Sequence, residues 1–425
     1  MLNKRKIKSQ IPYPSKDSLI HKSRFIVILM LFLPLLTSCW DKTELNELRI
    51  TTATGIDLLD NGWQISFQTI IPSSIASNSG GGSGASGQPG VHTFAVQAPT
   101  MGEARNLSQL ELSRKIFLGH NKVIVIGKKA AEDGILPIID GYLRNTESRE
   151  TVLMLIAEGT ANDLLRKLVP PEKLPGNSYK ELLDNESQIT SIFAKTSLFD
   201  FALKLFSDSS SIGVPVISIS GDKTEENDKK LESMDILKET SPLLKVKLTK
   251  LAVFKKDRLV GWLNRKESLG LSWLTNKVNQ TEVSFTCPDR DKLINAFSIT
   301  SSSTKLKPVR VDSHFVMTGT IEVGGILENY NCTETLNNTE TIENLNRSVE
   351  AQILNDIRIA WSKLKQLNAD ATGFSDQIHL TYPKEWKALQ PSWEKEFQNI
   401  ELQIKVKVNI KHPGLILNTI NQPKP

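Results

Sequence analysis

Only one stretch of this chain is apolar enough to leave water. Phe25 to Leu36 is a run of a dozen apolar residues, and it follows a basic leader in which Lys4, Arg5, Lys6, Lys8, Lys16, Lys22 and Arg24 face Asp17 alone. A mature membrane-spanning helix needs about 20 such residues. The run is short for that and fits the apolar region of a secretory signal. No later stretch approaches spanning length, so the apolar residues beyond it must be buried in cores that the chain builds in water, outside the cytoplasm.

The run ends in Leu36-Thr37-Ser38-Cys39. This is similar to the lipobox of bacterial lipoprotein precursors, in which the cysteine thiol receives a diacylglycerol before the peptide is cut in front of it. Small side chains at Thr37 and Ser38 let a membrane peptidase approach the backbone, and Leu36 fills an apolar subsite. The competing reading is an ordinary signal or an uncleaved anchor with an incidental cysteine. On the lipobox reading residues 1–38 are removed, Cys39 carries covalent acyl lipid, and no other cofactor is expected. Two acyl chains anchor stably where one is marginal, since each buried methylene contributes about 0.8 kcal/mol.

The net charge of +5 belongs to the leader. Removing residues 1–38 takes seven of the 52 basic and one of the 47 acidic residues, leaving 45 against 46. A body so balanced has no overall electrostatic footprint for nucleic acid. With Cys39 committed to lipid, Cys287 and Cys332 remain. An exported location permits a disulfide between them, and two buried free thiols fit the sequence equally well.

The 387 residues after cleavage exceed what a single core ordinarily holds. Ile50 to Asp57 and Trp63 to Ile71 alternate as strands around Asp60-Asn61-Gly62, a hairpin turn. A Ser/Gly-rich loop at 79–90 precedes a third strand, His92 to Ala98. Thr100 with Glu103 and Thr160 with Asp163 have the spacing of helix N-terminal caps. Strands at Lys122 to Gly127 and Thr151 to Ala157, a helix at Gly134 to Arg144 and a long helical pattern at Tyr179 to Ser207 complete an N-terminal mixed α/β domain, 39–221. Residues 222–242, polar and without periodicity, read as a linker.

A middle domain at 243–304 begins with a hairpin, Leu244 to Phe254 and Leu259 to Leu263. In a C-terminal domain at 305–418, Ile342, Leu345, Val349, Ile353, Ile357, Leu364 and Leu367 line one face of a long helix. Ile400 to Ile410 alternates as a strand with one buried face, placed in an antiparallel sheet under that helix. The fold class is therefore α/β in the mixed α+β sense, multi-domain, with mixed and antiparallel sheets covered by helices.

Few residues suggest chemistry. Gly82-Ser83-Gly84-Ala85-Ser86-Gly87 spells the dinucleotide fingerprint GxGxxG, but a strand follows where a helix must open. The histidines lack metal-ligand spacing, so neither a catalytic nor a metal residue is assigned. Tyr382, Trp386 and Trp393, in Tyr382-Pro383-Lys384-Glu385-Trp386 and Pro391-Ser392-Trp393, form a candidate partner surface, because aromatic residues concentrate at interface hot spots. The structural alternative has both tryptophans at the sheet edge, packed on the long helix.

These pieces, in order, resemble the Ger(x)C lipoproteins, the C subunits of spore germinant receptors. The resemblance is carried by Cys39 to Leu48, by Thr54-Gly55-Ile56-Asp57, and by Gly119-His120-Asn121-Lys122-Val123-Ile124-Val125-Ile126-Gly127. It continues in Gly213-Val214-Pro215, in Ala252-Val253-Phe254-Lys255 with Leu259-Val260-Gly261, and in Tyr382 to Trp386 followed by Trp393. Asp370-Ala371-Thr372-Gly373-Phe374-Ser375 approximates the family's D-x-x-G-F-G, and the Ser/Gly loop looks like an insertion. The resemblance implies a three-domain, non-enzymatic body held at the outer face of the spore inner membrane by lipid on Cys39. Its implied partners are two integral-membrane subunits, of A and B type. The alternative is a lipid-anchored solute-binding protein serving a transporter, and a cell-envelope hydrolase is the third.

Overall fold

The Asn61-Gly62 turn forms as its residue types require, with Gly62 at φ +123° joining β1 (Leu48–Leu59) to β2 (Gly62–Ile70). A computed structural model describes residues 24, 44–72, 89–287, 290–312, 314–332, 336 and 338–412. The chain divides into residues 1–48 and 49–425. In the first unit a 3-10 turn spans Leu45–Glu47; the two sheets and their covering helices belong to the second, apart from Leu48 at the start of β1. No helix among the described residues is long and apolar enough to cross a membrane.

The first sheet continues with β3 (Val91–Ala98), α1 (Met101–Leu107), β4 (Lys115–Phe117), β5 (Val123–Ile126), α2 (Lys128–Asp133), α3 (Leu136–Arg144) and β6 (Leu153–Ala157). Next come α4 (Ala161–Arg166), α5 (Pro175–Asn185), α6 (Leu198–Leu205) and β7 (Ser211–Gly221). The short α7 (Glu225–Lys230) leads to β8 (Leu244–Lys255) and β9 (Arg258–Leu263). The strand order is β3-β2-β1-β5-β6-β7-β8-β9, with β4 on β1. Its centre, β1-β5-β6-β7, is parallel, and antiparallel hairpins flank it.

A parallel centre must be covered on both faces, and β5 shows how. Ile124 and Ile126 enter one core with Ile138, Phe201 and Phe254, while Val123 and Val125 enter the other with Leu165 and Tyr179. Thr100 and Thr160 cap α1 and α4 by accepting from the backbone N–H of Glu103 and Asp163.

The second sheet holds β10 (Thr281–Cys287), β11 (Arg290–Val311), β12 (His314–Asn329) and β13 (Glu401–His412). Before it lies α8 (Arg265–Leu274). Between β12 and β13 run α9 (Thr339–Leu367), α10 (Phe374–Thr381), α11 (Pro383–Leu389) and α12 (Trp393–Asn399). Leu345, Val349, Ile353, Ile357 and Leu364, expected on one helix face, are all buried in the core shared with this sheet.

Four expectations need correction. The terminal strand pairs with β12 in parallel, Val316 opposite Glu401, so this sheet is mixed. The 29-residue α9 rises about 44 Å and carries the chain back along β12, which obliges β13 to run in the same direction. Alternation alone is blind to this.

The helical pattern over Tyr179–Ser207 is broken. Glu186 accepts from the N–H groups of Ile192 and Phe193, and Ser191 is left-handed at φ 50°.

Residues 222–242 are not an open linker. Leu231 and Ile236 are buried beside Val91, Leu168 and Leu244, too few apolar anchors to produce a period.

The stretch 243–304 does not stand alone either. β8 and β9 extend the first sheet, while β10 and β11 open the second. α8 packs so tightly on α9 that a Cβ at Gly270 would lie 2.3 Å from the Asp356 carbonyl oxygen. Cys287 and Cys332, left open by sequence, are joined in a disulfide.

Candidate functional site

Leu36, Thr37, Ser38 and Cys39 lie outside the described residues, so the structure bears on the aromatic segment alone. There α10, α11 and α12 make a string of short helices because Pro383 and Pro391 lack the N–H that a continuous helix needs. Trp386 is 2 % exposed, which removes it from any partner surface. Its ring meets Trp393 edge-on at 5.2 Å and stacks on His379 at 6.0 Å. From Trp393 the contacts run to Phe397 at 5.9 Å and on to Trp361 of α9 at 5.0 Å. Tyr382 turns to the second sheet, 5.2 Å from Phe315 of β12. Tyr382 and Trp393 remain partly exposed. The packing alternative therefore describes most of the cluster.

The same segment is fastened to the first sheet by charge. Lys204 of α6 meets Asp376 of α10 at 2.5 Å, and Asp376 also accepts from the backbone N–H and hydroxyl of Ser209. Asp208 meets His379 Nδ1 at 2.5 Å, and Lys255 of β8 meets Glu394 of α12 at 2.6 Å. The aromatic rings hold these helices to α9 and β12, and the polar contacts hold them to α6 and β8. The segment is thus a clasp between the two sheets.

Burial pushes the Asp376 carboxyl upward, but the Lys204 ammonium and the Ser209 donors outweigh it and leave the pKa below the usual carboxylate value. A carboxyl depressed in this way stabilises the fold above its unfolded pKa and loses that contribution as pH falls through the folded one. Asp376→Asn is expected to cost about 2 kcal/mol at neutral pH. The gap to wild type should narrow as the pH drops below about 4, measured by urea unfolding across the acid range; a gap independent of pH would count against the ion pair.

Two other carboxylates that a search for chemistry would select are engaged in capping. Asp57 accepts from the backbone N–H groups of Ala161 and Asn162 at 2.7 and 2.9 Å, holding the start of α4 from 104 residues away. A Cβ at Gly127 would fall 2.0 Å from Asp57 Oδ1, so only glycine leaves the carboxylate room. Asn121 donates to Thr54 at 3.0 Å, which joins the two N-terminal motifs across β1 and β5. Asp370 is buried and takes bonds from Thr372 Oγ1, from the Phe374 and Ser375 N–H groups and from the Ser375 hydroxyl. Burial raises the pKa of both carboxyls despite these donors.

A third cluster, unforeseen from sequence, gathers Asp163, Asp228 and Glu232 within reach of one cation. The place is filled by Lys167, 1 % exposed, whose Nζ lies 3.2, 2.5 and 3.0 Å from the three carboxylates. This ammonium pins the segment after β7 onto α4.

Two family models match this chain, one to each half. Residues 41–219 match the model for the spore germination protein N-terminal domain, and residues 249–414 match the spore germination B3/GerAC-like C-terminal model. Spore germination protein KC of Bacillus subtilis (strain 168) is 29% identical over 410 residues, covering 95% of this chain and 98% of that protein. Spore germination protein YndF of the same organism is 24% identical, with 94% and 99% covered. Among solved structures, the GerBC protein matches at a TM-score of 0.50 with 18% identity over 84% of this chain and 96% of that one. That likeness supports the mixed α+β fold.

Proposed function

Because this chain belongs to the GerAC-like family of spore germination proteins, we propose that it is the lipid-anchored, non-catalytic C subunit of a nutrient receptor that triggers spore germination. The observation that carries the proposal is the ordered pair of family matches, 41–219 and 249–414, beginning two residues after the lipobox cysteine. In this reading lipid on Cys39 keeps the protein at the outer face of the spore inner membrane. The folded body supplies a rigid docking surface for two integral-membrane subunits, of A and B type. The non-catalytic part draws support from the buried carboxylates. Asp57 and Asp370 are occupied by helix N-termini, and such capping contributes stability rather than proton transfer.

The test is affinity capture of the tagged full-length protein from detergent-extracted spore membranes, followed by mass spectrometry of its N-terminus and its companions. A diacylated Cys39 together with two multi-span membrane proteins is the expected result. A lipidated protein recovered alone, or with a transporter, would overturn the receptor reading.

A further inference from the structure

Where the two sheets meet, a cleft of about 670 Å³ opens among α6, β7, α8 and β11, within the range of small-molecule sites. Its lining combines an apolar body, including Leu203, Ile212 and Leu306, with Lys195, Lys204, Lys277 and Lys305. Two of the lysines are neutralised, Lys195 by Asp184 at 2.6 Å and Lys204 by Asp376. Lys277 and Lys305 have no carboxylate within ion-pair distance among the described residues. They are held on one rim, because Asn276 Oδ1 accepts from the Thr304 N–H at 2.8 Å and so ties the residues next to each lysine. Asp200, the one acidic residue in the wall among the described residues, is engaged at the start of α6, where it accepts from the Ser197 N–H and hydroxyl.

Two polar atoms of this cleft are left over. Ser211, 1 % exposed, has a buried hydroxyl without a hydrogen-bond partner among the described residues, and so does Gln377 at Oε1. A buried polar group without a partner costs about 1–3 kcal/mol, a cost that a bound polar ligand would offset. We propose that the cleft binds a small organic anion with an apolar body, its charged group at Lys277 and Lys305 and its polar atoms toward Ser211 and Gln377. The walls come from α6 and β7 on one side and from α8 and β11 on the other, so such a ligand would bridge the two sheets. The proposal stands independently of the receptor reading, since it depends on neither lipid nor partners.

The test is isothermal titration of the full-length protein, held in phosphatidylcholine nanodiscs, with 1-naphthoate and its neutral counterpart 1-naphthamide. One saturable naphthoate site is expected, with the amide binding about tenfold more weakly for want of the charge-assisted contact. Lys277→Glu with Lys305→Glu should weaken naphthoate by at least about tenfold, and Ile212→Trp, which fills the cleft, should abolish binding. Both lysines are exposed, so the double variant is expected to melt with wild type. Absence of saturable binding to wild type, equal binding of acid and amide, or binding unchanged in both variants would each overturn the proposal.

Discussion

Replacing Cys39 with alanine is expected to eliminate the lipidated, mature-length protein from spore membranes and to abolish most of the nutrient-triggered germination response. The thiol is the acceptor of the diacylglycerol, and alanine offers no nucleophile in its place. The energetic loss is large. At about 0.8 kcal/mol per buried methylene, each acyl chain contributes on the order of 10 kcal/mol of transfer free energy, and it is the second chain that turns marginal binding into stable residence. Carbonate-washed membranes probed for the tagged chain, with the N-terminal peptide identified by mass spectrometry, give the answer. A protein of unchanged mass that stays with the washed membrane, in spores that germinate normally, would refute the anchor. Germination by agents that bypass nutrient receptors should be unaffected, which separates loss of the receptor from a general defect of the spore.

What could be read from sequence follows the range of the forces involved. The Asn61-Gly62 hairpin and the caps at Thr100 and Thr160 are settled within a few residues, and each is seen in the structure. The run Val123-Ile124-Val125-Ile126 points to a doubly covered strand because both its faces are apolar. The direction of β13 is a different matter. Its alternating residues satisfy parallel and antiparallel pairing alike, and the choice falls to the crossover through α9. Residues 222–242 are misleading for a related reason: two apolar anchors and the Lys167 cluster hold them, and neither leaves a periodic mark.

The site residues divide in the same way. The aromatic signature Tyr382 to Trp386 stands out in sequence, but whether an indole faces solvent or α9 depends on how three short helices fold back, and Trp386 is buried. Asp57 and Asp370 stand in motifs that could suggest chemistry until the backbone N–H groups they serve come into view. The cleft between the sheets had no signal at all. Lys204, Ser211, Lys277, Lys305 and Gln377 come from segments far apart in the chain, and no local spacing relates them.

Serine at both Cys287 and Cys332 is expected to remove about 4 kcal/mol of stability, the loop-closure entropy of a cross-link between residues separated by 45 positions. The bond ties the end of β10 to the chain beyond β12, across β11, which lies between them in the sheet. Buried Asn295 of β11 completes the junction, with Nδ2 3.3 Å from each sulfur and Oδ1 accepting from the Asn331 N–H at 2.8 Å. Urea unfolding of the full-length protein should therefore show the double variant shifted well below wild type. Reductant should bring wild type onto the variant curve and leave the variant where it was. This comparison also tests the compartment, because a bond of this kind persists in an oxidising environment and is rare in the reducing cytosol. If both thiols of protein isolated from spores alkylate without prior reduction, and reductant does not move the wild-type curve, then the cross-link is not formed in the organism and the argument for export loses its structural support.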